Sequence, residues 1–154
     1  MKPTTSVCLI ALVVSTGIFL EHYLNRPAVA HAQTACGPSV FTGSYGYTQS
    51  GYAYDAQGNI YIIASTGRMV ADGNGGLTGS ETVSFDGNIL RRTYTGTYTM
   101  TEDCVGAVTL TFATTSAGAA LHGDIVAVNN ARQINFVQTD PNFIYSGVLT
   151  RQTQ

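Results

Sequence analysis

The residue that demands most of its surroundings is Glu81. Across Leu77-Thr78-Gly79-Ser80-Glu81-Thr82-Val83-Ser84-Phe85 the pattern alternates, so Leu77, Gly79, Glu81, Val83 and Phe85 share one face and the hydroxyl residues share the other. A carboxylate among apolar neighbours has to be matched by a cation or by hydrogen-bond donors, because burying it alone is costly. Arg92 is placed to do this. Asp86-Gly87 is a hairpin signal, and a turn centred there pairs positions whose numbers sum to about 173, which sets Arg92 opposite Glu81. The two form either an interior ion pair that fixes strand register or the polar anchor at the bottom of a ligand cavity, unless the strands lie at an exposed edge.

Aromatic residues make the second group. Tyr94, Tyr98 and Met100 share one face of a strand, and Tyr45, Tyr47, Phe136, Phe143 and Tyr145 alternate in the same way elsewhere. Such stripes either fill a core or line a small amphipathic pocket. The candidate ligand-binding set is therefore Glu81, Arg92, Tyr94, Tyr98, Tyr45 and Phe136.

Other chemistries find less support. His122 and Asp124 are two apart on one strand and share a face, as an acid/base dyad or half of a metal site would require. A lone histidine is more often a surface residue, however, and there is no Gly-x-Ser-x-Gly elbow, so no catalytic residue is assigned. Asp72-Gly73-Asn74-Gly75-Gly76 has the residue types of a calcium loop but lacks its terminal bidentate glutamate. It reads as a tight turn, and neither a metal nor a cofactor is assigned.

Placing these side chains takes strands, and the chain is written almost wholly in strand grammar. Runs rich in Thr, Val, Ile and Tyr cover Phe41 to Tyr54, Ile60 to Ala71, Leu77 to Phe85, Ile89 to Met100, Ala107 to Phe112, Leu121 to Val128, Gln133 to Thr139 and Phe143 to Gln152, with Gly/Asn/Asp clusters between them. Eight strands joined mostly by short turns predict an all-β fold, an eight-stranded antiparallel up-and-down barrel, with a two-sheet β-sandwich as the alternative. Gly67 reads as a bulge or bend in the second strand. Repeated Ser/Thr-Gly pairs read as places where a coiled strand sheds a side chain beneath an aromatic ring, with Tyr45 and Tyr98 as the covering rings.

The first 32 residues read as an address. Lys2 gives a positive start, Val7 to Leu20 is an uncharged, mostly apolar run, and Ala30-His31-Ala32 is a small-x-small cleavage site. That run is short of the roughly 20 residues a spanning helix needs, so cleavage is preferred over a retained anchor. Residues 1–32 are thus expected to be a signal peptide and 33–154 a single barrel domain, secreted or periplasmic, with no stable membrane span after cleavage. Of the three cysteines only Cys36 and Cys104 then remain, and in an oxidising compartment they are expected to form a structural disulfide. The remaining charges are five arginines and eight acids with no lysine, which excludes Schiff-base chemistry. The mild acidity gives nucleic acid no general attraction.

Gly67-Arg68-Met69-Val70-Ala71-Asp72-Gly73-Asn74-Gly75, Gly79 to Ser84, Arg92-Thr93-Tyr94-Thr95-Gly96-Thr97-Tyr98 and Asp103-Cys104-Val105-Gly106 together resemble small, uncharacterised secreted bacterial proteins. In outline the pattern is similar to the calycin-like barrels, including lipocalins and the allene oxide cyclase barrel. The resemblance implies an eight-stranded barrel and no activity, since the chain lacks the lipocalin Gly-x-Trp and any tryptophan.

Three functions fit this reading. The first is a binding module for a small apolar or aromatic molecule; the others are a structural or surface-interaction protein and a cyclase- or isomerase-like enzyme that confines its substrate. The residues favour binding over catalysis and leave oligomeric state open.

Overall fold

A computed structural model describes residues 35–113 and 120–153. Eight strands follow one another: β1 (Thr42–Tyr54), β2 (Ile60–Asp72), β3 (Gly76–Phe85), β4 (Asn88–Met100), β5 (Val105–Phe112), β6 (Ala120–Val128), β7 (Gln133–Gln138) and β8 (Phe143–Arg151). Each pairs antiparallel with its sequence neighbour, and β8 returns to β1, so the sheet closes into a barrel. The closing ladder runs from Tyr45 opposite Arg151 to Ala53 opposite Phe143. It rules out the sandwich, in which these strands would end as edges.

Turn chemistry sets the register. Asp86 and Gly87 both take positive φ, 49° and 84°, as a two-residue hairpin requires. Glu81 accordingly faces Arg92. At the β2–β3 turn the Asp72 carboxylate accepts the N–H groups of Asn74 and Gly76 at 2.7 and 2.8 Å, while Gly73 and Gly75 supply the positive φ. These residues hold their own loop together.

Inward positions are mostly apolar, and on β3 and β4 the outward positions mostly carry hydroxyls. Thr78, Ser80 and Thr82 on β3 and Thr93, Thr95, Thr97 and Thr99 on β4 point out, whereas Leu77, Val83, Tyr94 and Tyr98 are buried. Among the described residues no helix is long and apolar enough to cross a membrane.

The barrel has one closed end. A single 3-10 turn, Pro38–Val40, leads into Phe41, which is fully buried and meets Tyr45 and Tyr98 edge-on at 5.0 and 4.8 Å between ring centres. The Tyr98 hydroxyl lies 2.7 Å from the carbonyls of both Pro38 and Phe41, and Arg151 donates to the Val40 carbonyl at 2.7 Å. Cys36 and Cys104 stand at bonding distance with Cα atoms 5.0 Å apart, joining this segment to the β4–β5 turn. Strand β1 begins and β8 ends on this side, so the described chain enters and leaves the barrel at its closed end.

Two expectations about glycine change. Register is continuous through Gly67 on both of its ladders, so there is no bulge there. Its missing side chain instead makes room for the Tyr47 ring and the Ser80 carbonyl. Likewise the rings that lie over glycines are Tyr47 on Gly67, Tyr94 on Gly79 and Phe136 on Gly123. Tyr45 and Tyr98 are engaged in the closed end, where they bond to the Ala131 carbonyl and to the segment around Phe41.

Candidate ligand-binding site

At the opposite end the barrel is open. A cavity of about 710 Å³ runs down from the β3–β4 and β7–β8 turns to the middle of the barrel. Its walls are Ile63, Val83, Leu110, Phe112, Leu121 and Phe136, and Phe85, Ile89, Leu90, Pro141 and Phe143 surround the mouth. The alternation of each strand produces this lining, because every second residue from eight strands must point inward. Volume and lining fall in the range of small-molecule pockets, roughly 300–1,000 Å³ and mostly apolar with a few placed polar groups.

Those polar groups gather at the floor. Glu81 is 8% exposed and receives Nε and Nη2 of Arg92 on one carboxylate oxygen, both at 2.6 Å. Its other oxygen accepts the Tyr47 hydroxyl at 3.0 Å. Arg92 lies flat over Phe112, with its guanidinium carbon 3.5 Å from the ring centre. Across the floor the hydroxyls of Ser65 and Tyr145 are hydrogen-bonded to each other. No buried side-chain nitrogen or oxygen among the described residues lacks a partner.

Burial governs the tyrosines here. Tyr47 is held protonated far above the usual tyrosine range by burial, by neighbouring Tyr94 and by the Glu81 charge. Tyr94 is raised as well, chiefly by burial. Burial pushes Tyr145 up to about 12, against the lowering effect of Ser65. All three are neutral hydrogen-bonding groups at physiological pH.

Of the six candidates from sequence, Glu81, Arg92 and Phe136 line the cavity. Tyr94 is one layer removed, over Gly79 and against Tyr47. Tyr45 and Tyr98 belong to the closed end beneath the floor, because their strands continue past the floor toward the buried Phe41. Strand alternation reveals which face a residue occupies, but not its depth along the barrel axis. That limit also explains the cavity residues outside the set, Gln138 and Tyr145, and the buried Ser65 bonded to Tyr145, all of which carry the inward alternation.

His122 and Asp124 do not form a pair. Both are exposed on the outer wall, and the His122 ring instead bonds Asp140 at 2.7 Å, whose other oxygen takes the His122 N–H at 2.8 Å and Gln138 at 2.9 Å. Burial works against ionisation of Asp140, but the hydrogen bonds from His122 and Gln138 outweigh it and hold the carboxyl below its usual range. Asp140 sits at the cavity mouth, where it fixes the β7–β8 turn to β6. No group of three or more His, Cys, Asp or Glu that could hold a metal ion occurs among the described residues.

Compared with protein-family models, with curated proteins and with solved structures, the chain matches none. The closed eight-stranded antiparallel barrel is compatible with a calycin-like fold, and the resemblance holds at that level of architecture.

Proposed function

We propose that this protein is a secreted or periplasmic binding module that holds one small, mainly apolar molecule in its open cup. The observation that carries the reading is the cavity of about 710 Å³, with hydrophobic walls and the largely buried Glu81–Arg92 ion pair at its floor. A core that served stability alone would fill this space, because native interiors are packed to crystal-like density. The N-terminal address and the Cys36/Cys104 pair support a site of action outside the cytoplasm.

A docking role has one observation of its own. Ile144, Tyr52 and Ile62 lie side by side across β8, β1 and β2 on the outer wall near the mouth, and all three are exposed. They fit a surface that touches the donor or acceptor of the bound molecule.

Native mass spectrometry of the exported protein, before and after organic denaturation, tests the cup. A discrete adduct of a few hundred daltons that is lost on denaturation is expected. A clean apo mass, together with failure of a neutral apolar dye to bind, would overturn the reading.

A further inference from the structure

The floor selects among apolar molecules by its hydrogen-bond and charge balance. Resting on the cup reading, we infer that the bound molecule is an uncharged carbonyl compound, such as a ketone, ester or lactone on a hydrocarbon frame, whose oxygen sits at Arg92 and the Tyr145 hydroxyl.

Hydrogen-bond accounting is the first argument. Arg92 carries five N–H donors. Nε and one from Nη2 go to Glu81, and no described residue accepts from Nη1. Ser65 and Tyr145 have two hydroxyl hydrogens between them, and their mutual bond uses one. Of the roughly four lone-pair sites on the Glu81 carboxylate, Arg92 fills two and Tyr47 one. Spare N–H and O–H groups at the floor therefore outnumber free carboxylate sites, and its better complement is an acceptor. Gln49 and Gln138 line the cavity too and offer both kinds of group, so they do not discriminate.

Charge is the second argument. Glu81 and Arg92 cancel, so a carboxylate brought to this floor would be an unpaired anion among apolar walls, with Glu81 beside it and Asp140 at the mouth. An ammonium headgroup would meet the Arg92 charge and find Glu81 already occupied. A neutral carbonyl oxygen takes the spare donors without adding charge.

Displacement of the neutral dye N-phenyl-1-naphthylamine at pH 7 by 2-undecanone, decanoate and decylammonium, each below its micelle concentration, tests this. The ketone is expected to bind at least tenfold more tightly than either ion. Tighter binding of decanoate or decylammonium, or dye that none of the three displaces, overturns the ligand class and leaves the cup standing. Absence of dye binding overturns the cup itself. In Glu81→Gln, with folding checked by circular dichroism, Arg92 loses its counter-charge, and the decanoate-to-ketone affinity ratio is expected to rise at least tenfold. An unchanged ratio in the folded variant would remove the pair as the selecting element. If that variant does not fold, the wild-type series decides alone.

Discussion

Glu81 is the residue on which stability and selectivity meet. Its carboxylate is shared between Arg92 and Tyr47 inside the barrel, and a neutral amide in its place leaves the Arg92 charge unmatched in a low-dielectric site. Glu81→Gln is expected to lower unfolding stability in urea by about 2–4 kcal/mol, below the roughly 3–5 kcal/mol for breaking a fully buried pair because Arg92 keeps some exposure to solvent. Asp124→Asn, on the exposed outer wall, is expected to change it by less than about 0.5 kcal/mol. Equal losses would mean that the pair adds nothing. The tyrosines supply a pH signature. Tyr145 ionises at about 12 in the folded barrel, against about 10 in an unfolded chain. A raised folded-state value means that its contribution is complete below about pH 10 and disappears between there and the folded value. In an alkaline titration, part of the tyrosinate absorbance should therefore appear together with the loss of β-type circular dichroism. Full ionisation ahead of any loss of structure would place these phenols in solvent.

At the scale of strands, glycine decides how closely neighbours coil. A Cβ at Gly67 would meet the Ser80 carbonyl and stand 2.6 Å from the Tyr47 hydroxyl, which is the Glu81 donor. Gly67→Ala is thus expected to cost about 1–3 kcal/mol as an overpacking change and to loosen the dye site. Gly46→Ala, where only the flexible Gln152 side chain comes near, should be close to neutral in the same urea series. Equal effects would show that aromatic cover is incidental. The strands themselves were legible in sequence because period-two alternation and Gly/Asn/Asp turns are local signals. Glu81 opposite Arg92 was legible for the same reason, since the Asp86-Gly87 turn sets that register by itself. Depth was not legible. Tyr45 and Tyr98 carry the same alternation as Tyr47 and Tyr145, and only the coiling of the closed sheet puts the first two below the floor and the others at it. The His122–Asp140 bond was hidden for a related reason, because it joins β6 to a turn that comes near only once β6 and β7 pair.

The described residues form a barrel plugged at one end. The plug, from Cys36 to Phe41, is attached to the wall through the Cys36/Cys104 pair, which spans 68 residues of chain. Replacing both cysteines with serine is expected to lower stability by up to about 4.4 kcal/mol on the chain-entropy account. A reducing agent should lower the wild-type melting temperature in parallel, and no shift in either experiment would show that the bond contributes nothing. The position of the plug has a further consequence. Since the described polypeptide both arrives and departs on the plugged side, neither of its ends crosses the rim, and the mouth is free of the chain's own entry and exit.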